Sequence, residues 1–390
     1  MGGKESADLL EQIDRHLDGG NQAWLLGAGI SFDAGLPLMG ALTFRVRELC
    51  QGKPHQVLLD AIISELPGDA HIEHVLSQLG DYSAIAARVS AKNVTIAGHV
   101  YTLADLQSAH TTITQDVADT IRWGYIAKNG DAPAVIGRRD FPLARIEHHA
   151  AFVSAIFEKR HAGLWDRRKP VHFFTTNYDT LLEDALSLGR YPHWDGFSGG
   201  AVAYRSHQYG KQPKADGMKA IVVKLHGSID WVLGAEGEVW RVRDTDRYPQ
   251  HQGRVLIHPQ STKYVSTQKD PFAAQFDVMR RVIGTMDEFV LGVVGYSFGD
   301  EHVNEELERA LSATGSKVTL IAFCRENAAM PECLKRWLTS PWGDSVFALT
   351  EKAAYWGDRE PAHVRQEGEH NWWTFDGVTS FLRSGGQLDA

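Results

Sequence analysis

Four short stretches carry side chains able to do chemistry, and each follows an apolar run. In "TTNYDTL", Asn177 and Asp179 place an amide and a carboxylate two positions apart, a pair that can orient a water or a hydroxyl. In "KLHGSIDW", His226 precedes Gly227, and an imidazole with an ordinary pKa of about 6.5 is a competent base at neutral pH. In "AWLLGAGISFDAGLP", Gly27 and Gly29 lack a Cβ, so the backbone can approach an anion. In "GYSFGDEHVN", Gly295, Ser297, Gly299 and Asp300 offer amides and a hydroxyl that could hold ribose or phosphate.

Each stretch also has a plainer reading. The glycines at 27 and 29 suit a tight turn from strand to helix, and the third glycine of a dehydrogenase fingerprint would fall at Phe32. Asn177, Asp179 and Asp300 suit helix N-caps. A strand-end histidine is often a hydrogen-bonded structural residue.

Strands and helices must position these groups. "PVHFFTTNYD" (170–179), "KAIVVKLHGSIDW" (219–231), "EFVLGVVGYSFGD" (288–300) and "SKVTLIAF" are continuous apolar runs, as in parallel strands buried on both faces. Helical periodicity appears in "ESADLLEQIDRHLD", "HIEHVLSQLGDYSAIAARV", "FVSAIFEKRH" and "EHVNEELERALSA". The alternation predicts an α/β fold with a doubly wound parallel sheet. We expect a first part of a nucleotide-binding domain in 1–40, a mostly helical insertion in 41–165, the remainder in 166–330 and a C-terminal extension in 331–390. The aromatic tail "HNWWTFDGVTSFL" should pack back on the body or on a neighbour.

Composition narrows the function classes. The 390 residues carry 40 Lys and Arg against 49 Asp and Glu, a net charge of −9 that opposes direct nucleic-acid binding. Three scattered cysteines, Cys50, Cys324 and Cys333, make neither a disulfide framework nor a four-thiolate zinc site, so no metal is expected. No apolar run is long enough to span a membrane and no secretory leader is seen, so a cytoplasmic location without membrane contact is expected. No G-x-x-x-x-G-K-[ST] loop occurs, so triphosphatase activity would have to come from a partner.

Taken in order, the four stretches resemble the sirtuin-like domain. "GAGIS" followed by "AGLP" is similar to its first nucleotide-binding motif, "TTNYD" to its Asn-x-Asp strand end, "LHGS" to its His-Gly, and "VVGYSFGDEHVN" to the last strand in bacterial members. The resemblance implies a Rossmann-like sheet with NAD as substrate. It implies that Gly27, Ala28, Gly29, Ser31 and Gly35 hold the pyrophosphate side and Gly295, Ser297 and Asp300 the adenosine side. Asn177 and His226 would be catalytic, and Asp179 would contact the nicotinamide ribose or carboxamide.

The chain departs from the sirtuin deacylases. "AGLP" continues as "LMGALT" where those enzymes have an Asp-Phe-Arg segment, and their paired C-x-x-C zinc module is absent. The helical insertion resembles NAD-cleaving effectors of bacterial antiviral defence. That likeness implies an NAD glycohydrolase acting in abortive infection, gated by homo-oligomerisation or by a partner such as a HerA-type ATPase. The alternatives are a non-hydrolytic sensor of NAD or ADP-ribose, and a transferase of ADP-ribosyl or acyl groups. Among other features, His71, His74, His148 and His149 are read as ordinary histidines, and Glu73 as a group that could close the pocket. "GRRD" (137–140) and "DRRKP" (166–170) are read as solvated loops.

Overall fold

The computed structural model describes residues 2–159, 169–243, 253–256, 271–285, 289–326 and 329–385. Asp166, Arg167 and Arg168 lie outside the described residues. The core is one sheet of β1 (Gln22–Leu26), β2 (Val171–Thr175), β3 (His193–Trp194), β4 (Ala220–Lys224), β5 (Phe289–Val294), β6 (Val318–Phe323), β7 (Val346–Leu349) and β8 (Ala354–Trp356). Its order is β8-β7-β6-β5-β1-β2-β4-β3, parallel throughout except for the β7–β8 pair. The doubly wound α/β expectation holds.

Eleven described α-helices surround it: α1 (Gly2–Leu17), α2 (Met39–Cys50), α3 (Gln56–Glu65), α4 (Ile72–Arg88), α5 (Leu103–Trp123), α6 (Glu147–Ser154), α7 (Leu181–Leu188), α8 (Phe272–Thr285), α9 (Glu301–Ser312), α10 (Glu332–Leu338) and α11 (Phe375–Ser384). Alternation along the strands divides the core in two. Trp24, Leu26, Phe173 and Val222 face α1, α6, α7 and α11, where Ile13, Phe152, Leu182 and Phe381 pack. Ala23, Leu25, Phe174 and Val223 face α8, α9 and α10 through Met279, Leu307 and Trp337. Each large side chain buried here contributes about 1.5–3 kcal/mol. The aromatic tail packs back on the body, with Trp372, Phe375, Val378 and Phe381 in the first of these cores. The segment read as an extension also supplies β7 and β8 to the sheet.

Helices α2 to α5 make a third core, with Leu42, Leu59, Leu76 and Ile113, and this core closes over Tyr178 and Ile229 beyond the strand ends. The insertion therefore sits on the edge of the sheet that carries the motifs. One expected strand divides. The run 219–231 forms β4, turns at Leu225 and His226, and enters a separate antiparallel sheet as Gly227–Leu233. Gly227 has φ +90, a conformation that suits glycine and lets the chain leave the central sheet. The second sheet pairs this strand with Val239–Val242 and Gly253–Leu256, and adds Val202–Arg205 and Phe197–Gly199. No described helix is long and apolar enough to cross a membrane.

Candidate active site

Register brings the four motifs together. Leu26 pairs with Thr175 and with Val294, and Thr175 pairs with Lys224, so four strands end at one level. Asn177 and His226 each lie two residues beyond the paired Thr175 and Lys224. The sheet order reverses direction between β1 and β5, and that switch point, at the carboxyl ends of the strands, is where open α/β sheets bind ligands.

The loops after β1 and β5 cross in contact. Gly27 and Gly29 donate their amides to the carbonyls of Val294 and Gly295 at 3.0 and 2.9 Å. A Cβ on Gly27 would lie 2.5 Å from the Gly295 oxygen, one on Gly29 would lie 2.7 Å from the Gly295 Cα, and one on Gly295 would lie 2.5 Å from the Ile30 nitrogen. These glycines, expected to admit an anion, here admit one another's loop, and a 3-10 turn over Ala28–Ser31 follows instead of an α-helix. Gly35, at φ +84, is held close to the carbonyl of Leu143. Ala28, Ser297 and Gly299 are exposed at the rim of the crossing.

Ser31 is the hub of a buried polar cluster. Its hydroxyl donates to Asp179 Oδ2 at 2.8 Å and accepts from Asn177 Nδ2 at 3.2 Å. His149 Nε2 lies 3.5 Å away, at the outer limit of a hydrogen bond. With the single hydroxyl proton on Asp179, the lone pairs of Ser31 are left for Asn177 and for an Nε2–H of His149. Asn177 Oδ1 is buried and has no partner among the described residues, and the same holds for His149 Nδ1. Burial lowers the His149 pKa from 6.5 to about 4, against the pull of Asp179, so the ring is neutral at pH 7.

Asp179 anchors the loop after β2. Its Oδ1 accepts from the Leu181 amide at 3.0 Å, but the N-cap position of α7 is Thr180, so Asp179 stands one residue ahead of the cap that its type suggested and closes a local side-chain turn instead. Lys224 Nζ donates to the Asp179 carbonyl and lies 3.3 Å from Glu183, both side chains being buried. Burial pushes the Glu183 carboxyl up, to about 7, although Lys224 pulls it down. Between Asn177 and Asp179, the Tyr178 hydroxyl donates to Glu73 Oε1 at 2.7 Å. Glu73 thus braces the loop from α4 behind the strand ends.

His226 faces the loop after β5. Its Nε2 lies 2.7 Å from Asp300 Oδ2, both groups being largely buried. Asp300 Oδ1 accepts from the amides of His302 and Val303 at 3.1 and 3.4 Å and caps α9. Asp300, expected at the adenosine side with Gly295 and Ser297, is therefore engaged by the histidine. Asn304 Nδ2 holds the Phe298 carbonyl at 2.7 Å, fixing the left-handed turn at Phe298, φ +58.

Of the residues singled out in the sequence, Ser31, Asn177 and Asp179 form one hydrogen-bonded group and His226 with Asp300 another. His149, read from the sequence as an ordinary histidine, is carried by the fold of α6 against Ser31 across 118 positions of chain. No spacing signal links such distant groups. Its neighbour His148 instead pairs with Asp376 at 2.6 Å, and the His71 amide donates to His74 Nδ1 at 3.2 Å at the start of α4. Chemically, the cluster offers a neutral amide acceptor, an imidazole held by a carboxylate, and a rim of backbone and hydroxyl groups.

Residues 171–341 match the family model of the SIR2-like domain, which supports a Sir2-like domain protein. The matched span includes Asn177, Asp179, His226, Gly295, Ser297 and Asp300 but not the loop after β1. No curated protein matches the chain.

Proposed function

We propose that this chain is an NAD glycohydrolase that releases nicotinamide and ADP-ribose. SIR2-like domains use NAD as substrate or ligand, which supports the choice of dinucleotide. The observation that carries the reading is Asn177: Nδ2 is committed to Ser31, and Oδ1 is buried with no partner among the described residues, beyond a parallel strand end. A buried acceptor left without a protein donor is the natural partner of a substrate hydroxyl or an attacking water.

Cleavage of the bond between ribose C1′ and the nicotinamide nitrogen passes through an oxocarbenium-like state. The bonding pair leaves with nicotinamide and neutralises its ring. Water then adds at C1′, oriented by Asn177 Oδ1, and gives its proton to His226. Asp300 holds His226 Nε2–H, which leaves Nδ1 as the basic nitrogen. Asp179 positions Asn177 through Ser31. Because the hydroxyl of Ser31 and the amides of Gly27 and Gly29 are already engaged, the exposed Ala28 and Ser297 are the pyrophosphate and adenosine contacts we favour.

A standing NAD hydrolase would harm its own cell, so we assign the activity to a gated defence effector, with assembly through the insertion or a HerA-type partner as the gate. The insertion exposes Phe44, Val57 and Val100, apolar groups suited to such contacts. The test is nicotinamide release by the purified chain, alone and with co-purifying partners, beside Asn177→Ala and His226→Ala. Turnover lost in both variants supports the hydrolase. Tight NAD binding with no turnover, partner present, would make the chain a sensor.

A further inference from the structure

The helical insertion carries a second cluster of chemically able side chains. Candidate ligand atoms of Cys50, His55 and Asp116 all lie within 4.8 Å of one another. Cys50 ends α2 and is fully buried. The chain then reverses through Gly52, at φ +71, and Pro54, which returns His55 beside the thiol at the start of α3. Asp116 reaches the same point from α5. His55 Nε2 is buried and has no partner among the described residues. Asp116 is held by Lys53 Nζ, at 3.2 and 3.4 Å from its two oxygens.

We propose that Cys50, His55 and Asp116 bind a zinc-class divalent cation on the insertion, apart from the strand-end site. The donor set selects the metal class. Thiolate, imidazole and carboxylate are zinc ligands, whereas magnesium and calcium take oxygen alone. Three protein ligands leave a fourth position, and His55 and Asp116 are both partly accessible to solvent, so water can fill it. On binding, the Cys50 S–H bond gives way to a sulfur–metal bond and the proton passes to solvent. Thiolate and carboxylate together neutralise the dication. The Lys53 ammonium is then displaced, which its 38% exposure permits. Cysteine counting misses such a site because a single thiol suffices. A bound metal would tie α2 and α3 to α5 and stabilise the insertion.

The full chain is equilibrated with Zn²⁺, passed through a desalting column and assayed for metal per chain; Co²⁺ serves as an absorption probe of sulfur ligation. We expect one metal per chain and a thiolate-to-cobalt band. Cys50→Ser should abolish the band, and Asp116→Asn and His55→Gln should weaken binding by about tenfold or more. Lys53→Gln should tighten it, because the competing ammonium is gone. His74→Ala, at the start of α4 and outside the cluster, should change nothing. Asp116 and His55 lie nearer the surface, so their variants keep the test decisive if Cys50→Ser does not fold. The proposal is overturned by no stoichiometric metal, by cobalt bound without a thiolate band, or by binding indifferent to Asp116→Asn and His55→Gln. Catalytic failure of the strand-end site would leave this result untouched.

Discussion

His226 Nε2 and Asp300 Oδ2 meet at 2.7 Å, joining the loop after β4 to the cap of α9. One carboxylate thus does two separable things: Oδ1 caps the helix and Oδ2 holds the imidazole. Asp300→Asn keeps the cap, because Asn and Asp cap equally well, but it loses the charge facing the ring. Nicotinamide release should fall by about 100-fold or more while thermal stability hardly moves. Asp300→Ala should lose activity and, in addition, about 1 kcal/mol of stability. Undiminished turnover in Asp300→Asn would reduce the pair to a cap.

The glycine crossing makes a different prediction from a phosphate cradle. Gly295→Ala puts a methyl 2.5 Å from the Ile30 nitrogen at a residue with φ +64, and Gly27→Ala meets the Gly295 carbonyl. Both variants should lose at least about 1–3 kcal/mol in urea unfolding, even without nucleotide. If the glycines serve only ligand approach, stability would stay level and KM for NAD alone would rise.

Strand existence was legible because the buried runs at 22–26, 171–175 and 289–294 are apolar on both faces. The break at His226 was not, since β4 and Gly227–Leu233 run on almost without interruption in the sequence and are both buried, and the positive φ of Gly227, where the chain turns, is not visible in its type alone. The second sheet was illegible for a similar reason: Phe197–Gly199 and Val202–Arg205 are too short for a period-2 pattern. At the site, Asn177, Asp179, His226 and Asp300 announced themselves by type and strand-end position. What joins them did not. The bonds of Ser31 to Asp179 and of Tyr178 to Glu73 arise from tertiary packing.

Ser31→Ala tests the hub directly. It leaves Asn177 Nδ2 and Asp179 Oδ2 without their shared partner, and each buried polar group so stranded costs about 1–3 kcal/mol. Asn177 would also be free to rotate. We expect lower stability and a drop in kcat larger than the change in KM, measured as nicotinamide release against NAD concentration. An unchanged kcat would remove Ser31 and Asp179 from the positioning role.

Buried histidines set the response to acid. Burial lowers both His149 and His172 from 6.5 to about 4. Between these values the unfolded chain binds protons that the folded chain refuses, so stability falls as pH falls from 6.5 toward 4. At pH 5 each histidine should have removed about 2 kcal/mol relative to pH 7. Glu183 acts in the opposite sense: raised to about 7, it favours the folded state as pH falls through the range from 7 to 4.5. The raw slope therefore mixes signs, and the useful quantity is a difference. Urea midpoints at pH 7 and pH 5 should show His172→Gln losing about 2 kcal/mol less than the wild type over that interval. Equal losses would mean that His172 takes up its proton in the folded chain, and would overturn the lowering assigned to its burial on β2 between neighbouring strands.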